Sequence, residues 1–126
     1  MATVDLTKTN FEGTVNGSDI VLIDFWAPWC GPCRQFAPVF ESMSETHPDI
    51  VFAKVNTEEE QELAGHFQIR SIPTLVIFRE RIIVFSQPGA LPPARLASVI
   101  EKVVELDMDE VHKQVAEQAG TQEGQA

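Results

Sequence analysis

The sequence predicts an α/β domain on a mixed β-sheet, and three patterns predict it. Apolar strand-like runs alternate with amphipathic stretches through the first half of the chain, the order that builds parallel βαβ units. Residues 74–78 and 82–85 are then two strand-like runs separated only by Arg79-Glu80-Arg81. So short a link makes an antiparallel hairpin, not a crossover. The last periodicity, Leu96, Val99, Ile100, Val103 and Val104, falls on one face at helical spacing and supplies a closing helix.

In chain order, residues 3–6 read as a short edge strand. Thr9 with Glu12 has capping-box spacing and predicts a short helix to about Val15, ended by Asn16-Gly17-Ser18-Asp19. Ile20–Trp26 is a buried strand interrupted by one acid, Asp24. The run from Arg34 predicts a helix to about Glu45, kinked at Pro38. Thr46-His47-Pro48-Asp49 is a turn, residues 51–55 a strand and 58–67 a helix. The closing helix begins near Pro92-Pro93; Asp107 and Asp109 stand where they would interrupt it, and Leu106, Val111 and Val115 would prolong its period. Residues 120–126 are low in complexity and expected to be disordered. The domain is therefore placed at 1–107, followed by an acidic tail at 108–126 that is partly helical and then disordered.

Composition narrows the function. With 126 residues, 44% hydrophobic content and eight phenylalanines, the chain can bury a core. A net charge of −10 argues against nucleic-acid backbones and anionic membranes as partners. From Glu105 onward six acids meet one base, Lys113, so the tail carries half of that charge. The first ten residues lack the basic and apolar regions of a signal peptide, and no apolar run approaches a membrane span. A soluble cytoplasmic protein is expected. In a reducing compartment, two cysteines serve catalysis or metal binding sooner than a structural bridge.

Those two cysteines, Cys30 and Cys33 in Trp29-Cys30-Gly31-Pro32-Cys33, lie where a strand hands over to a helix N-terminus. A thiolate is best stabilised there, and the spacing lets a disulfide close across one turn. Cys30, next to the loop, is the better nucleophile; Cys33, one turn further in, suits the resolving role. Gly31-Pro32 supplies no charge to stabilise a reduced thiolate, so a reductant is expected, not an oxidase or isomerase. Two inert buried cysteines, or a metal site, are the competing readings. Zinc wants four ligands, and His47, His66 and His112 lack paired spacing with the cysteines. Alternation puts Asp24 on one covered face with Leu22 and Trp26, a setting that raises a carboxyl pKa.

Phe25-Trp26-Ala27-Pro28-Trp29-Cys30-Gly31-Pro32-Cys33, then Pro38, Lys54, Arg70-Ser71-Ile72-Pro73-Thr74 and Gly89-Ala90, resemble the thioredoxin family from about Asn10 to Val104. The resemblance is closest to the bacterial thioredoxin-2 type, without the cysteine-bearing N-terminal zinc segment that type carries. It implies the thioredoxin fold, a central mixed sheet of about five strands flanked by about four helices. It also implies a protein-disulfide reductase with no bound cofactor beyond a redox-active Cys30–Cys33 disulfide. Asp24 would relay a proton for Cys33, with Lys54 as its buried partner. Pro73 would be a cis-proline beside the cysteines, and the Ile72 backbone would pair with an extended substrate segment. Trp29, Gly31, Pro32, Ile72 and Gly89 would form the docking surface, while Trp26 packs against the site. The implied partners are disulfide-containing proteins and an NADPH-linked thioredoxin reductase or a ferredoxin-linked equivalent, acting on a monomer with no nucleic acid or membrane. A redox-independent binding module on the same scaffold is the alternative, and a Cys-x-x-Cys metal chaperone a third. Two features depart from the family pattern: Glu80-Arg81 in the hairpin turn, where residues tolerant of positive φ are usual, and the acidic extension.

Overall fold

A short apolar run without polar alternation suits a strand covered on both faces. Ile20–Trp26 is apolar except for Asp24, and it forms the centre of the sheet. The computed structural model describes residues 2–125, with side chains described through residue 119. In chain order the elements are β1 (Thr3–Asp5), α1 (Phe11–Asn16), β2 (Ile20–Trp26), α2 (Gly31–Thr46), β3 (Val51–Asn56), α3 (Gln61–His66), β4 (Thr74–Arg79), β5 (Ile82–Pro88), α4 (Pro93–Glu105) and α5 (Met108–Gln125).

The strand order is β1-β3-β2-β4-β5. β1 and β2 pair parallel with β3, β4 runs antiparallel to β2, and β5 antiparallel to β4. Alternation along β2 feeds two cores. Ile20 and Leu22 meet Phe36, Phe40 and Phe52 under α2 and α4. Val21, Ile23 and Phe25 meet Val55 and Leu63 under α1 and α3. The phenylalanines divide accordingly: Phe40 stacks edge-on to Phe52 at 5.2 Å on one face, and Phe11 to Phe67 at 5.4 Å on the other.

Several expectations are corrected. The Thr9–Glu12 capping box does not form; Asn10 is the N-cap of α1 and makes no side-chain cap. Its Oδ1 instead accepts from the Thr7 N–H at 2.7 Å, and Thr7 Oγ1 accepts from the Thr9 N–H at 3.2 Å. These short side chains close the loop out of β1, and the helix start loses the competition. The third helix is shorter than 58–67 because Asn56 Oδ1 accepts from the Glu58 N–H at 2.9 Å and holds the first residues in a turn. Four helices, α1–α4, flank the sheet as expected, and among the described residues a fifth, α5, follows from Met108. α4 stops at Glu105, Leu106 is extended with ψ 137°, and a separate helix starts at Met108. The expected disorder of 120–126 concerns residues whose side chains, and in Ala126 the backbone, lie outside the described residues.

The hairpin loop is only Glu80-Arg81, and Arg79 belongs to β4 opposite Ile82. Glu80 and Arg81 have φ of 49° and 69°, the positive values of a type I′ turn, although neither is Gly, Asn or Asp. Neighbouring contacts hold this conformation. The Glu80 N–H donates to the Asp19 carbonyl at 2.7 Å, and Glu80 Oε1 lies 2.7 Å from His112 Nε2 of α5. Arg79 Nη1 donates to the carbonyls of Val103, Val104 and Leu106 at 2.6, 3.0 and 3.1 Å, satisfying the open end of α4.

Candidate active site

Trp26 ends the central strand, and the chain turns through Ala27, Pro28 and Trp29 before α2 begins at Gly31. Cys30 is the N-cap of α2, in an extended conformation with φ −89° and ψ 116°. Pro32 in the first turn is pre-set for a helix start, where no N–H is needed. The cap is made by sulfur: Cys30 Sγ accepts from the Cys33 N–H at 3.2 Å. The helix thus aims a first-turn N–H that has no partner within the helix, and the positive end of its dipole, at Cys30 Sγ.

Cys30 and Cys33 form a disulfide with Cα atoms 5.2 Å apart. Both residues are nearly covered, at 5% and 2% relative exposure, so Cys30 is only slightly the more open of the two. Ala27 packs with them, and Trp26 and Ile72 lie against the group. Among the described residues no group of three or more His, Cys, Asp or Glu could hold a metal ion.

The loop before β4 closes the site from the other side. The Ile72–Pro73 peptide bond is cis. Cys30 Sγ lies 3.8 Å from the Ile72 carbonyl oxygen. The Gly89 N–H donates to the Pro73 carbonyl at 2.7 Å, and Gly89 has φ +102°, a conformation that L side chains rarely adopt. Gly31 is half-buried and Pro32 exposed beside Trp29, the most exposed large apolar residue at 65%. The structure therefore brings Cys30, Cys33, Trp29, Gly31, Pro32, Ile72, Pro73 and Gly89 to one end of the sheet.

Asp24 and Lys54 behave differently from each other. Asp24 is fully buried, and neither carboxyl oxygen has a hydrogen-bond partner. Burial pushes its pKa up to about 7, with the Lys54 ammonium pulling the other way. Lys54 makes no ion pair with it; Nζ stands 4.8 Å from the Trp26 ring centroid, a cation–π contact. Lys54 is half-buried, not the buried partner expected from the sequence.

One contact was missed in the sequence. Glu58 Oε1 accepts a hydrogen bond from Trp29 Nε1 and ties the exposed indole to the turn after β3. Only the run Glu58-Glu59-Glu60 soon after Lys54 hinted at an acid near this surface, and it read as the start of a helix.

A disulfide capping a helix from the end of a central strand, beside a cis-proline and an exposed tryptophan, defines a thiol–disulfide oxidoreductase. Comparison with known proteins makes the class specific. The family model described as Thioredoxin matches residues 2–102. The chain is 61% identical over 117 residues, covering 93% of itself and 87% of the other, to a protein of Streptomyces coelicolor that is itself named only provisionally as a thioredoxin 2. It is 43% identical to a thioredoxin of Alicyclobacillus acidocaldarius, covering 79% of this chain and all of the other (100%). Among solved structures it is similar to a mutant thioredoxin from Halobacterium salinarum, with a TM-score of 0.76 and 35% identity over 82% of this chain and 91% of that one. The chain belongs to the thioredoxin family, and its activity is that of a protein-disulfide reductase.

Proposed function

We propose that Cys30 is the attacking thiolate and Cys33 the resolving thiol. In the reduced protein, Cys30 Sγ attacks one sulfur of a substrate disulfide; that bond breaks, and the other substrate sulfur leaves and takes up a proton. Asp24, held ready to exchange a proton near neutrality, accepts the Cys33 proton. Cys33 Sγ then attacks Cys30 Sγ, and the second substrate thiolate is released. Two electrons pass to the substrate, and the Cys30–Cys33 disulfide returns.

The observation that carries this assignment is the Cys33 N–H donating to Cys30 Sγ at 3.2 Å, with Cys33 one turn deeper. That bond favours negative charge on Cys30 alone. Substrate docks on Trp29, Gly31, Pro32 and Gly89 and pairs with the Ile72 main chain beside Pro73, a mode tolerant of sequence. Lys54 tunes Asp24 at a distance. The redox unit is residues 1–107, with 108–126 an acidic appendage.

The partners we propose are disulfide-bearing proteins and a reductase drawing on NADPH or an equivalent, with no bound cofactor, nucleic acid or membrane. The protein works as a monomeric electron carrier in the cytoplasm; among the described residues no helix is long and apolar enough to cross a membrane. Trapping in cell extract tests the assignment. A Cys33→Ser variant accumulates dithiothreitol-sensitive mixed disulfides through Cys30, whereas Cys30→Ser accumulates none and does not reduce insulin. Equal trapping by both variants would reverse or remove the roles.

A further inference from the structure

α4 separates its charges. Glu101 and Glu105 face a cleft shared with His47 and Asp49, while Arg95 and Lys102, two turns apart, face the opposite cleft against β5. This second cleft is open to solvent and has a volume of about 150 Å³ over an apolar floor of Val84, Phe85, Val99 and Leu106. No acid lines it, although the chain carries 19 acids against nine Lys and Arg. Among the described residues the ion pairs are Lys8–Glu62 and His112–Glu80, so neither Arg95 nor Lys102 makes a direct ion pair. β5 pairs only with β4, so this side of the sheet ends at the cleft.

We propose that the α4–β5 cleft is a binding site for a small apolar carboxylate, of the size of one aromatic ring on a short acid chain. An apolar cavity of about 150 Å³ is large enough for a single benzene ring. The ring lies on Phe85 and Val99, and the carboxylate reaches the two cations at the rim. Charge decides the class: a cation meets like charge there, and a neutral ring leaves both bases without a counter-ion. The cleft shares no residue with the dithiol group, so occupancy is separable from disulfide reduction.

An NMR titration of the full chain with 3-phenylpropionate, and in parallel with 3-phenylpropanol, tests this. The carboxylate is expected to give saturable amide shifts centred on Val84, Phe85, Val99 and Lys102, with the alcohol about tenfold weaker, as two exposed charge contacts provide. In R95Q/K102Q the carboxylate should weaken to the level of the alcohol, with insulin reduction unchanged; both side chains are exposed, and the same spectra report that the fold is intact. Shifts that do not saturate or that centre elsewhere would overturn the site. Equal affinity for acid and alcohol, or an unaffected double variant, would overturn the ligand class.

Discussion

Asp24 and Lys54 are partners in the β2–β3 register, side by side on one face of the sheet, yet they form no ion pair. The ammonium stands over Trp26 and leaves the carboxyl in an apolar setting with both oxygens unpartnered. A surface carboxylate beside a lysine would titrate low. Here desolvation outweighs the lysine, and the group binds its proton up to about 7.

This displacement makes the native state lose stability with rising pH. The folded pKa of about 7 lies above the ordinary 3.8, so between those values the folded chain holds a proton that the unfolded chain has released. Stability from this group therefore falls through that window and is flat above it. Asp24→Asn removes the slope. Urea denaturation should find the variant close to wild type at about pH 4 and more stable at about pH 8, by up to about 4 kcal/mol. Parallel curves for the two proteins would contradict the assignment.

The proposed mechanism gives the same group a pH dependence of rate. In it, resolution of the mixed disulfide needs Asp24 ionised to take the Cys33 proton, so that step should rise with pH through about 7 in wild type. In Asp24→Asn the step should slow and lose that inflection, as read by stopped-flow insulin reduction. A wild-type inflection surviving the substitution would take Asp24 out of the mechanism.

Glu58 positions Trp29. Glu58→Ala frees an indole that is otherwise tied beside Cys30, at a cost of about one hydrogen bond. The expected result is a KM for insulin raised about three- to fivefold with kcat little changed, together with a shifted Trp29 Nε1–H resonance. A lower kcat at constant KM would place Glu58 in the chemistry instead.

Arg81 holds φ at 69° without a residue suited to it. Arg81→Gly should stabilise the protein by about 1 kcal/mol, since the strain of a left-handed side-chain residue exceeds the entropy glycine adds to the unfolded chain. A lower thermal midpoint would mean that the Arg81 side chain contributes more than its backbone costs.

Much of this was legible in the sequence because the signals were local. Ile20–Trp26 read as a strand because its short, nearly continuous apolar run suits a strand covered on both faces. The cysteine cap was legible for the same reason, with strand, loop and helix start lying within one short stretch. Elements decided by side-chain competition were not: Asn10 and Asn56 bind loop N–H groups, and the helices following them start later than the spacing predicts. Contacts between distant segments left no local mark. The ties from Glu58 to Trp29 and from Arg79 to the end of α4 arise only when the sheet brings those segments together. The burial of Asp24 was legible from alternation, but the turn of Lys54 toward Trp26 was not.

The account rests on charge at Cys30, and alkylation of the reduced protein by iodoacetamide at about pH 7 measures it most directly. Cys30 should be carboxamidomethylated about tenfold faster than a cysteine in an unstructured peptide, with Cys33 slower than Cys30. Reaction no faster than the peptide, or faster at Cys33, would contradict the helix-capped thiolate on which the proposed chemistry depends.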